Sequence, residues 1–228
     1  MNDLISVVIP VYNQADHIGR IIRDYETAMT RIPYPREFVL VVNGCRDNSL
    51  EVCRALAAEM PSVRVVHSEK GGWGLAVKLG LQAARGEWLC YTNSARTTAP
   101  ELALLTLYAI ANPGAVVKAH RRNRESFKRR VGSFLYNLEC RVLFDLPIWD
   151  INATPKVFTR ETYNQIQPES DGDLIDLEFY VKCKRLEKEI LEVPIYSQHR
   201  HGGKSTTNYR SAIRMYAGAY RMWREQGS

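Results

Sequence analysis

Residues 71–101 (GGWGLAVKLGLQAARGEWLCYTNSARTTAPE) restrict the chain to a narrow set of folds. Clustered glycines open the stretch, a helix of about ten residues follows, and Arg85-Gly86 turns the chain. Residues 88–92 (WLCYT) then form an apolar strand, and a polar turn leads into Pro100-Glu101, a helix start. In a parallel α/β sheet, ligands sit just beyond the carboxyl ends of the strands. Residues 92–98 therefore form the floor of a candidate site.

The same alternation extends in both directions. Residues 4–10 (LISVVIP), 38–42 (FVLVV) and 63–67 (VRVVH) are short apolar runs suited to strands buried on both faces. Asp16 is placed to cap a helix carrying Ile18, Ile21 and Ile22, and Asp47 or Ser49 to cap the next. Further helices are expected at residues 102–111 and from Ser170 to near Leu186, with strands at 115–119, 154–159 and 190–195. The expected fold is α/β: a Rossmann-like, mostly parallel sheet with helices on both faces. One domain spans residues 1–205, and residues 206–228 form a helical appendage with Tyr209, Ile213, Tyr216, Tyr220 and Trp223 on one stripe.

At 228 residues, 45% hydrophobic and 25% charged, the chain can bury a substantial core. Its apolar runs fall short of the roughly 18 residues needed to cross a bilayer. MNDLISVVIPVYN reads as a strand rather than a signal peptide, so a cytoplasmic location, at most peripheral at a membrane, is expected. The five cysteines form no CxxC pair and read as buried free thiols, while His199 and His201 would alternate in an extended segment and not share a zinc.

The net charge of +6 fits acidic partners such as phosphates or anionic lipid, or simply a basic surface. Residues 120–141 are the most basic part, with Arg121, Arg122, Lys128, Arg129, Arg130 and Arg141 among Val131, Phe134, Leu135 and Leu138. A membrane-surface helix would need this pattern, and a solvated helix packing its apolar stripe inward would share it. Nucleic acid is not expected as a partner, because no recognised module accompanies the patch.

The order of these segments, from Val7 to about Ser205, resembles that of GT-A-fold family 2 glycosyltransferases of the polyprenol-phosphate (dolichol-phosphate mannosyltransferase-like) kind. Pro10, Tyr12 and Asn13 match that family's Pro-x-Tyr-Asn-Glu, with Gln14 for the acid. Gly44, Asp47 and Ser49 match its second loop, where Asn43 takes an Asp position. Gly72 lies in its glycine loop, where Trp73 replaces a basic residue. Asp150, Asn152 and Lys156 keep part of an acceptor-facing segment, Asp176 and Glu178 match an acidic helix start, and Arg200, Gly203 and Ser205 match a C-terminal loop. The family's metal-binding Asp-x-Asp is here Asn93, Ser94 and Ala95.

The resemblance implies an enzyme that moves a sugar, with inversion, from a UDP- or GDP-linked donor to a phosphate or hydroxyl acceptor, a polyprenyl phosphate or a small molecule. Pro10, Tyr12, Asn13, Asn43, Gly72, Asn93, Arg200 and Lys204 would bind the donor. Arg121, Arg122 and Lys156 would meet the acceptor, and Asp176 or Asp150 would take its proton, a step not needed if the acceptor is already an anion. Mg2+ or Mn2+ accompanies the family's donor, but Asn93 is a weak ligand and Ala95 none, so no metal ligand is assigned and Arg200 and Lys204 are expected to neutralise the diphosphate instead. The alternative is a non-catalytic nucleotide-sugar or lipid-phosphate binding protein on the same scaffold.

Overall fold

The computed structural model describes residues 3–122, 127–196 and 209–226. Seven strands form one sheet in the order β3-β2-β1-β4-β6-β5-β7. β1 (Ile5–Val11), β2 (Arg36–Asn43), β3 (Val63–Ser68) and β4 (Trp88–Tyr91) are parallel, with Val7 opposite Phe38 on one side and Cys90 on the other. Between β4 and β5 (Val116–Arg121) lies β6 (Lys156–Thr159), antiparallel to both, and β7 (Ile190–Ile195) closes the far edge parallel to β5.

β1 reads as an uninterrupted apolar run because it is central: every one of its residues is buried, alternating between two cores. Ile5, Val7 and Ile9 face α1 (Ile18–Met29), α2 (Ser49–Glu59) and α4 (Ala99–Ala111), whereas Val8 faces α3 (Trp73–Ala83). α3 lies so close to the sheet that a Cβ on Gly80 would stand 2.1 Å from Val8 Cγ1. The second core also takes side chains from α5 (Phe127–Phe144), α7 (Ile175–Arg185) and α8 (Tyr209–Gln226), with α6 (Arg160–Ile166) following β6.

α4 starts at Ala99, just before the expected Pro100-Glu101, fixed by a capping box in which Thr98 and Glu101 exchange bonds with each other's backbone N–H. α1 differs. Asp16 does not cap it, because its carboxylate is drawn to the adjacent His17 ring, and the helix begins at Ile18 with no side-chain cap. At α2 the cap position is neither expected residue but Asn48, which makes no side-chain cap bond; Asp47, one residue before it, accepts from Ser49 N–H (3.1 Å) and Ser49 Oγ (2.6 Å) on Oδ1.

α5 resolves the two readings of its apolar stripe. Val131, Phe134, Leu135, Leu138 and Val142 are exposed, and the helix packs inward through Tyr136, Cys140 and Phe144. α8 lies against it: the Tyr216 ring meets Tyr136 edge-on, and its hydroxyl donates to Gly132 O at 2.6 Å. All five cysteines are free and four are buried; burial pushes Cys53, Cys140 and Cys183 up to about 12.

Candidate active site at the ends of β1, β2 and β4

The carboxyl ends of β1, β2 and β4 meet at one rim, and short polar side chains tie their loops together. Asn43, at the end of β2, is buried; its Nδ2 donates to Val11 O (3.1 Å) and Val41 O (3.3 Å), and its Oδ1 accepts from Gly72 N–H (2.9 Å). Its amide thus joins β1, β2 and the glycine loop, a job a carboxylate could do only in part because it has no donor. Gly44 follows at φ +59°, where a Cβ would come within 2.8 Å of the Gly71 backbone, so the two loops touch through bare backbone.

Above β1, Tyr12 is exposed, and Asn13 (φ 51°) accepts Arg46 N–H on Oδ1 at 2.8 Å. Gln14 links three loops: its N–H donates to Ser49 Oγ (2.8 Å) and its Oε1 accepts from Ser94 Oγ (2.7 Å). Pro10 is buried in β1 opposite Val41. Tyr12 is therefore open at this rim with Asn13 half-buried beside it, whereas Pro10 and Asn43 shape it from beneath.

At the end of β4, Asn93 spends its Oδ1 on Ala95 N–H (3.1 Å), and its own N–H donates to Thr154 Oγ1 (3.3 Å). Ser94 is committed to Gln14, and Ala95 is buried without a donor atom. An amide already bonded to the backbone, a shared hydroxyl and a methyl group do not make the oxygen-rich set that Mg2+ or Mn2+ requires. Nor do the described residues bring three His, Cys, Asp or Glu side chains together elsewhere.

A layer of paired charges lies beside the rim. β6 is only four residues long and buried, and Lys156, opposite Tyr91, points into the interior under α7. Its ammonium pairs with Asp176 Oδ1 at the first turn of α7. Tyr91 Oη donates to the same oxygen at 2.9 Å, and Trp73 Nε1 donates to Oδ2 at 3.1 Å. Burial lowers Lys156 to about 8 against the opposing pull of Asp176, and burial with the nearby Asp176 charge raises the Tyr91 phenol well above its usual range.

Two further pairs continue the layer. Asp150 (φ 51°) takes Arg121 Nε (2.8 Å), Nη2 (2.5 Å) and backbone N–H (3.1 Å). Burial disfavours the guanidinium charge of Arg121, but Asp150 outweighs it and raises the group. Lys118, directly across from Lys156, donates to Glu192 Oε1 (2.8 Å) and Trp149 O (2.6 Å).

Lys156, expected from the sequence to face an acceptor, is thus an internal cation. Arg121 is committed to Asp150, and of the three expected acceptor residues Arg122 alone is exposed. Asp176 and Asp150, expected as bases, are both buried and ion-paired, and a proton taken by either would weaken its bond to the cation it holds. Trp73 stands where the resembling family carries a base, and it meets Asp176 instead of a phosphate. Gly72 lies at the rim, but its N–H is spent on Asn43, and the 170–172 loop covers the start of α3, where a Cβ on Gly74 would lie 2.3 Å from Ser170 O. Arg200 and Lys204 lie outside the described residues.

The partners of Asp176 escape a linear reading because Trp73 and Tyr91 look like core aromatics. The available signal was Lys156 itself, since a lysine within a four-residue buried strand demands a counter-charge.

The sequence profile described as "Glycosyl transferase family 2" matches residues 6–166. An undecaprenyl-phosphate 4-deoxy-4-formamido-L-arabinose transferase of Pseudomonas fluorescens is 32% identical over 159 residues, 68% of this chain and 47% of that protein. The chain spans less than half the length of several curated relatives, 31% of one and 48% of another. Among solved structures, mannosyl-3-phosphoglycerate synthase from Rubrobacter xylanophilus superposes with a TM-score of 0.75 at 22% identity, over 98% of this chain and 74% of that one. Glucosyl-3-phosphoglycerate synthase from Mycobacterium tuberculosis, in complex with Mn2+, UDP and phosphoglyceric acid, gives 0.72 at 17% identity, over 96% and 76%. Both share the fold described above.

Proposed function

The chain belongs to glycosyl transferase family 2, and from that premise we propose that it moves a sugar from a nucleotide-sugar donor to a phosphate acceptor, without a protein base and without a divalent metal. The donor lies across the ends of β1, β2 and β4. Its base sits against Tyr12 and Asn13, over the floor made by Pro10 and Asn43, and its diphosphate runs past Gly72 and Asn93. A UDP-linked donor is favoured by the UDP held by the M. tuberculosis neighbour of the same fold. Arg200 and Lys204 are assigned to the diphosphate by their motif, as cations in place of a metal.

One observation carries the choice of acceptor: the buried Asp176 and Asp150 are both bound to cations, Lys156 fully buried and Arg121 partly so. A hydroxyl acceptor needs a group to take its proton, whereas a phosphate arrives ionised and attacks the anomeric carbon as the nucleoside diphosphate leaves. Here Asp176 and Asp150 are positioning residues that hold Lys156 and Arg121, and Arg122 meets the acceptor's charge. The undecaprenyl-phosphate transferase relatives favour a polyprenyl phosphate. The free cysteines accord with a reducing, cytoplasmic setting.

The test is transfer from UDP- and GDP-sugars to a polyprenyl phosphate, to the matching polyprenol and to 3-phosphoglycerate, each with Mn2+ or with EDTA. Glycosylation of a phosphate acceptor in EDTA is expected. Transfer to the polyprenol alone, or a strict need for Mn2+, would overturn the mechanism. The internal use of Asn93 and Ser94 favours one second reading, a non-catalytic binding protein, which would show donor binding with no transfer to any acceptor.

A further inference from the structure

We infer that the outward face of α5 is a docking surface for an anionic lipid bilayer. Val131, Phe134, Leu135, Leu138 and Val142 recur at intervals of three and four residues and so share one side of the helix. They are 41% to 72% exposed, while the opposite side is buried through Tyr136, Cys140 and Phe144. The helix is thus apolar on two sides, and only the inner one is used by the fold. A row of half-exposed large apolar side chains is costly in water and marks a contact surface.

Charge indicates what covers it. Lys128, Arg129 and Arg130 occupy the first turns of α5 and Arg141 its last, against a single acid, Glu139. The Arg141 guanidinium lies over the Trp149 ring at 4.5 Å, and Phe134 stacks on Trp149 at 5.7 Å, so a cation is held beside the apolar row. α8, packed alongside, adds exposed Ile213, Tyr220 and Trp223 together with exposed Arg214 and Arg221. Apolar and aromatic groups next to arginines suit the boundary between headgroups and acyl chains of an anionic membrane. A second copy would set like charges against each other. Among the described residues no helix is long and apolar enough to cross a membrane, so α5 would lie along the surface. The contact needs neither donor nor acceptor, and it stands or falls apart from the proposed chemistry.

Flotation of the full chain with vesicles of phosphatidylcholine, alone or mixed with phosphatidylglycerol, tests it directly. Binding to the mixed vesicles that weakens with added salt is expected. The exposed double substitution Leu138→Asp/Val142→Asp should lower that binding at least about tenfold. Leu104→Asp, on the exposed side of α4, should leave it unchanged, and circular dichroism melts check that each variant is folded. No partition onto anionic vesicles, or an equal loss in Leu104→Asp, would overturn the inference. So would a lipid-free dimer that the α5 variant abolishes, since the face would then belong to a second copy.

Discussion

Trp73 and Asp176 stand 103 positions apart in sequence, yet the indole Nε1 donates to the carboxylate Oδ2 at 3.1 Å. The bond joins the start of α3 to the start of α7 and completes a set of three donors around one buried carboxylate. Trp73→Phe keeps most of the ring's packing and removes only this bond. It should cost about 1.5–3 kcal/mol in urea unfolding, the range for a hydrogen bond to a charged group.

Asp176→Asn should cost more. It leaves Lys156 buried opposite a neutral amide, and breaking a buried pair on one side costs about 3–5 kcal/mol. The same urea series measures it. A loss below that of Trp73→Phe would show that Lys156 is not charged in the folded state.

Burial lowers Lys156 from 10.5 to about 8. Between those values the unfolded chain binds a proton that the folded chain has released, so through this group stability rises with pH across the window. Below about pH 8 both states hold the proton and the folded state bears the full cost of the buried charge. In Lys156→Met the rise should be missing, so melting temperatures of the two proteins should diverge in slope above about pH 8. Parallel curves would mean that Lys156 titrates at its ordinary value.

Asn43→Asp restores the acid that the resembling family carries at this position. The new carboxylate can still accept Gly72 N–H, but it turns an oxygen toward Val11 O and Val41 O where an amide now donates to both. A loss of about 1–3 kcal/mol is expected from the unmade bonds, read by urea unfolding.

Gly80→Ala tests the approach of α3 to the sheet. The added methyl would meet Val8 Cγ1 at 2.1 Å and Val41 Cγ2 at 2.9 Å, both in the middle of buried strands. Overpacking of this kind costs about 1–3 kcal/mol, and here it outweighs the gain in helix propensity from alanine. A calorimetric melt should fall accordingly.

The strand-helix alternation was readable in the sequence because β1 and β2 are buried on both faces, so LISVVIP and FVLVV carry no polar interruption. Helix starts are readable to within a residue or two where the signal is local, as at Pro100-Glu101, and are lost where a neighbour competes, as His17 does for Asp16. The direction of the α5 stripe was not readable, since Tyr136 and Cys140 form a second apolar side and only the neighbouring elements select between them. The site was legible in its residues but not in their pairing. The motifs point to Asp176, Asp150, Lys156 and Arg121 as reactive or binding groups, and a linear pattern carries no sign that the fold joins them two by two.

Reversed β6 has a further consequence for how the sheet holds together. Among the described residues the run β3-β2-β1-β4 and the pair β5-β7 share no direct ladder, and this four-residue strand stitches one to the other. On the β5 side the stitch is two residue pairs, Val117 with Val157 and Lys118 with Lys156, extended by Ala119 N–H donating to Pro155 O at 3.0 Å. Both cores run across this narrow seam, Val117, Ala119 and Val193 packing in one cluster with Val7 and Ile9, so the seam marks where the backbone ladder is thinnest, and amide exchange should reach β5 and β7 sooner than β1 and β2. The seam's last pair is two lysines whose counter-ions, Asp176 and Glu192, come from α7 and from β7. The suture is therefore secured by buried charge as well as by backbone, and through Lys156 its strength becomes a property that pH can tune while salt, excluded from the interior, changes it little.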